Sequence, residues 1–89
     1  MSPPEARALL RQIIATGNVA FPDHARKRLT QWRLTAEDCV NVLRAGAMGE
    51  AENENGPWRY PVRTHRIVVV VAFRSEAEVV VVTAWRMER

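Results

Sequence analysis

Apolar positions recur at helical spacing through the first half of the chain and gather into near-continuous runs in the second. Ala6, Leu9, Leu10, Ile13 and Ile14 fall on one stripe and predict a helix that buries a single face. Its start is written in Ser2-Pro3-Pro4-Glu5: Ser2 caps, Pro3 sits where no amide bond is lost, and Glu5 completes a capping box. Gly17 supplies the stop. Asn18 to Phe21 can form a short extended piece. A second helix is expected from about Asp23 to Trp32, with Ala25, Leu29 and Trp32 as its stripe. Thr35 caps a third, with Glu37 and Asp38 in its first turn, Cys39, Val42 and Leu43 facing inward, and Gly46 at its end.

From Ala47 onward the pattern is that of strands. Gly56-Pro57 marks a turn between two hairpin arms, Met48 to Glu52 and Trp58 to Thr64. Ile67 to Phe73 and Val79 to Trp85 are rich in β-branched residues, which suit a pleated surface. Arg74 to Glu78 joins them as a polar loop. Both runs are apolar on both faces, so both are expected at the centre of a sheet. The helices can cover one face; a partner, a second copy or a mixed site must line the other. The expectation is an α+β domain over residues 1–89: two or three N-terminal helices packed on an antiparallel sheet of about four strands.

Composition narrows the function classes. The chain has 89 residues, too few for a separate cofactor domain beside a substrate domain. A single cysteine, Cys39, excludes an intrachain disulfide and leaves no Cys/His cluster for zinc, so neither metal nor other cofactor is implied. The longest apolar run holds seven residues against the roughly 20 that span a bilayer. The N-terminus lacks the basic start and apolar core of a secretory signal, so the expected location is the cytoplasm.

Charge points to partners. Thirteen basic residues against ten acidic give +3, and every basic residue except Lys27 is arginine. A bias toward arginine codons would produce that composition; it would not by itself produce clustering. Arg26, Lys27, Arg28 and Arg33 crowd the second helix, and Arg59, Arg63 and Arg66 stand in a stretch without an acid. Clustered cations on a small domain are the footprint of nucleic-acid binding.

The arrangement of certain residues resembles a known family. His24-Ala25-x-x-Arg28 opens the second helix, and Thr35-x-x-Asp38 opens the third. The sheet half then begins with Trp58-Arg59-Tyr60 and closes on Val81-Val82-Thr83-Ala84-Trp85-Arg86. Over roughly residues 18 to 86 this is similar to small bacterial domains grouped with MqsR-like toxins, which belong with the RelE-type ribonucleases. The resemblance implies a helices-then-sheet fold and a type II toxin that cleaves mRNA without metal, free or on the ribosome. It also implies a cognate antitoxin. His24 and Arg28 match the family's helix-start motif, Tyr60 an aromatic position of the second strand, and Thr83 and Arg86 the end of the last strand. Lys27 is the only lysine, so the lysine-rich, glutamine-containing set of better-studied MqsR toxins has no counterpart here.

Metal-free cleavage proceeds by attack of the 2′-hydroxyl on the adjacent phosphorus. It needs a base, a cation on the phosphate and an acid for the leaving oxygen. The candidate catalytic residues are therefore His24, Arg28, Tyr60 and Arg86. His24 and Arg28 are four apart and share a helix face, though both would also serve as an ordinary helix start and a solvated cation. Alternation places Tyr60 and Val62 on one strand face and Arg59, Arg63 and His65 on the other, where they can track a phosphate backbone or simply protect an edge strand. Arg86 is expected on the face of Val80, Val82 and Ala84. Lys27, Arg59, Arg63, His65 and Trp58 are the candidate RNA-binding residues; an exposed tryptophan can stack a base for roughly 1–3 kcal/mol. Trp32 and Trp85 read as core, and Cys39 as a small apolar residue. Two further readings remain: a non-catalytic module binding nucleic acid or protein through the basic face, and a domain that dimerises through its valine-rich sheet.

Overall fold

The computed structural model describes residues 1–53 and 56–87. Three helices, α1 (Pro3–Thr16), α2 (Asp23–Gln31) and α3 (Ala36–Ala45), pack on a five-stranded sheet. The strands are β1 (Asn18–Ala20), β2 (Ala47–Met48), β3 (Tyr60–Arg63), β4 (Ile67–Phe73) and β5 (Glu78–Arg86). Their order is β1-β5-β4-β3-β2. The two valine-rich strands are central, as their double-sided apolar character requires.

Local chemistry sets the helix ends. Ser2 and Glu5 close one capping box and Thr35 and Asp38 a second, each satisfying amides that the first turn leaves unpaired. Gly17 and Gly46 receive the chain after α1 and α3. At Gly46 the backbone approaches β3 so closely that a Cβ would stand 2.9 Å from the Arg63 carbonyl oxygen. α2 ends differently: the Leu34 and Arg33 amides donate back to the Leu29 and Thr30 carbonyls, and Arg33 takes a left-handed turn with φ 56°.

The sheet differs from the expected one in two ways. It is mixed rather than antiparallel, because the extended piece Asn18–Ala20 pairs in parallel with Glu78–Val80. The first hairpin is also interrupted. Ala47 and Met48 pair with Arg63 and Val62, and Glu52 pairs with Arg59, but the ladder breaks between them. Pro61 is the cause. Its carbonyl accepts from the Gly49 amide, and on that same side it has no N–H to return. Glu54, between the end of this arm at Glu52 and the Gly56-Pro57 turn, lies outside the described residues.

One core joins helices and sheet. Ala6, Leu10 and Ile13 of α1, Ala25 and Leu29 of α2, and Cys39, Val42 and Leu43 of α3 meet Tyr60, Val62, Val69, Val71, Val79, Val81 and Ala84. Each fully buried Leu, Ile or Val among them contributes about 1.5–3 kcal/mol. Trp32 packs against this core. The opposite face carries the rows Arg63–Val68–Trp85, Pro61–Val70–Thr83 and Ala72–Val80. Of the helices only α2 reaches this face, through His24 at its start; Val68, Val70 and Ala72 are nonetheless buried, and Trp85 is half-buried here, not part of the core that was expected to hold it.

Candidate functional site

The open face ends in a cavity of about 340 Å³ lined by His24, Pro57, Arg59, Ala72, Phe73, Arg74, Val80 and Val82. Three separate stretches of chain deliver its polar groups. His24 comes from the first turn of α2, which packs on β5. Arg59 comes from the residue before β3, held by reciprocal backbone hydrogen bonds with Glu52 of 2.7 and 2.8 Å. Arg74 follows β4. Its Nη1 pairs with Glu78 Oε1 at 2.8 Å, while Asn18 Nδ2 donates to Glu78 Oε2 at 2.8 Å. The Asn18 hydrogen bond first, then Arg74, holds the Glu78 carboxyl below its usual range. Among the described residues Arg59 forms no ion pair, whereas Arg74 is partly neutralised by Glu78.

A second cavity, of about 320 Å³, adjoins the first. It is lined by Met1, Pro57, Trp58, Tyr60 and Phe73, and so shares Pro57 and Phe73 as walls. Trp58 is 57% exposed. Tyr60 is not a catalytic group here: it is 3% exposed, packs edge-to-face on Phe73 at 5.5 Å, and donates its hydroxyl to the Met1 carbonyl. Period-two alternation, which set Tyr60 beside Val62, already pointed it into the core.

The other expected site residues are dispersed. His65 stands in the turn after β3 and accepts from Arg66 Nε at 3.1 Å; with Arg66, Arg86 and Met87 it lines a third cavity beside the turn between β3 and β4. Arg86 is not on the face of Val80 and Val82. A bulge leaves Val82 unpaired, since Val71 faces Val81 and Val70 faces Thr83. Every later side chain is thereby reversed, so Ala84 joins the core and Arg86 turns toward the helices. There Arg86 donates to the Trp32 carbonyl at 2.9 Å and the Arg33 carbonyl at 3.0 Å, which makes it a cap for α2 away from the His24 cavity. Arg63 lies exposed on the open face beside Val68. Lys27 and Arg28 are exposed on α2, and neither is among the residues that line this cavity with His24. Arg74 was missed; it immediately follows β4, where a strand's end faces solvent and a cation is easily read as turn polarity.

Cys39 offers no nucleophile. Burial, with the neighbouring Asp38 charge, pushes its thiol up to about 11. Among the described residues no three His, Cys, Asp or Glu side chains are placed to hold a metal ion.

Residues 21–86 match the family described as Domain of unknown function (DUF4258), and the chain belongs to that family. The matched span runs from the residues before α2 to the end of β5 and contains every polar group of the first cavity. No curated protein and no solved structure matches the chain.

Proposed function

We propose that this DUF4258 member is a metal-independent endoribonuclease acting on mRNA, the toxin of a type II toxin–antitoxin pair in the cytoplasm. One observation carries the reading: His24, Arg59 and Arg74, remote in sequence, converge on a single cavity at the end of the sheet face opposite the core. That cavity pairs a group able to take a proton with cations suited to phosphate. Tyr60 and Arg86 take no part, because one is core and the other caps a helix.

The chemistry follows from these parts. His24 accepts the proton of a ribose 2′-hydroxyl as its oxygen attacks the neighbouring phosphorus. Arg59, with Arg74 beside it, stabilises the charge that builds on the phosphoryl oxygens. The bond from phosphorus to the 5′-oxygen breaks, the leaving oxygen takes up a proton from the imidazolium, and a 2′,3′-cyclic phosphate remains. An antitoxin segment covering the open face would block this cavity; a second copy of the chain is the other candidate cover. No described helix is long and apolar enough to cross a membrane.

A second reading, a non-catalytic module that binds nucleic acid or protein on the same face, is favoured by one fact. His24 is the only titratable group other than arginine lining the cavity. Inducible expression in a bacterial host, with growth and total RNA followed together, separates the two. Wild type should arrest growth and degrade mRNA; His24→Ala should cut cleavage about 10²–10⁴-fold, and Arg59→Ala about 10²–10³-fold. Soluble wild-type protein that leaves RNA intact would leave the binding module standing and remove the ribonuclease.

A further inference from the structure

We infer that the cavity formed by Pro57, Trp58 and Phe73 is a nucleobase site. It takes, by stacking, an unpaired base next to the phosphate held by His24 and Arg59. The inference rests on the reading of the first cavity as a phosphate site.

Three observations lead to it. First, Met1 and Trp58 are the only exposed large apolar residues among those described, and both border this one cavity. An indole left 57% exposed beside an aromatic wall is an available stacking surface. Second, the apolar cavity and the cationic one share Pro57 and Phe73. A flat apolar group joined to an anion over a short distance fills both, and a nucleotide has that shape. Third, the apolar cavity has little with which to read a base edge. The Tyr60 hydroxyl proton is donated to the Met1 carbonyl, and Pro57 and Phe73 bring no polar side-chain atom. Stacking without edge contacts tolerates every base, because each has a π-face. It does not tolerate a duplex, whose bases are already stacked on one another.

The site therefore selects strandedness and not sequence: its substrate is single-stranded RNA with an unpaired base at the position held by Trp58. The test is fluorescence anisotropy with short, labelled 2′-O-methyl RNA, which lacks the attacking hydroxyl and stays intact. Wild type should bind single strands in clear preference to a duplex of equal length, with the four homopolymers within a few-fold of one another. Trp58→Ala should weaken single-strand binding by about 5- to 100-fold, and Trp58→Phe should restore most of it. Circular dichroism of both variants confirms the fold, which an exposed side chain does little to support. If wild type binds single strands and Trp58→Ala binds them equally well, the nucleobase site is overturned while the phosphate cavity stands. Equal affinity for duplex and single strand overturns it too. A wild-type protein that binds no RNA at all overturns the phosphate reading together with this one.

Discussion

Two carboxylates that look like solvated helix-start residues tie the fold to pH. Glu5 and Asp38 each accept a backbone amide across a capping box. That hydrogen bond, from Ser2 for Glu5 and from Thr35 for Asp38, holds each carboxyl below its usual range. Glu78 is lowered as well, by Asn18 first and Arg74 second. A group whose folded pKa lies below its unfolded one binds its proton more readily when unfolded. Its stabilising effect is complete above the ordinary carboxylate range, about 4, and disappears as pH falls through the lower folded values. The melting temperature should therefore hold level from pH 7 to about 5 and decline below it. Asp38→Asn should shallow that decline. A melting temperature that rises on acidification would show that these carboxylates do not hold the helix starts.

At the level of the element, what local chemistry decides could be read from sequence, and what depends on a distant partner could not. α1 and α3 start and stop where Ser2, Thr35, Gly17 and Gly46 indicated, because a cap involves residues only a few positions apart. The span of β4 was equally plain, since four consecutive valines have no other comfortable place. The bulge at Val82 left no such mark. It exists only in the register between β4 and β5, and it reversed the expected orientation of Arg86. The consequence is a contact that strict alternation forbids: Arg86 reaches the C-terminal carbonyls of α2, where a cation also suits the helix dipole. Arg7 does the same for α3, donating to the Leu43 and Arg44 carbonyls at 2.6 and 2.7 Å. Arg86→Ala should thus cost about 1 kcal/mol, a drop of roughly 4–8 °C in melting temperature for a domain of this size. Cleavage measured well below that transition should be unchanged. Lost cleavage at full stability would instead return Arg86 to the site.

Over the whole molecule, the decisive feature is that the helices bury their apolar stripes against one face of a sheet whose central strands are apolar on both. The sequence showed this imbalance but could not show which cations would gather at the uncovered face, since His24, Arg59 and Arg74 meet only through the strand order β1-β5-β4-β3-β2. The helical side is basic as well: Arg11 and Arg44 flank a groove between α1 and α3, and burial together with the Arg11 charge lowers the Arg7 pKa. A net charge of +3 therefore does not say where an RNA lies; salt dependence at individual positions does. Each phosphate neutralised on a single strand contributes a slope of about −0.7 to the plot of log affinity against log salt. With Arg59 outside any described ion pair and Arg74 shared with Glu78, wild type should show a slope of about −0.7 to −1.4 on non-cleavable RNA. Arg59→Ala should flatten it by about 0.7, one phosphate's worth, whereas Arg44→Ala should leave it where it was. If Arg44→Ala flattens the slope and Arg59→Ala does not, the RNA runs over the helices and the open face is kept for a protein.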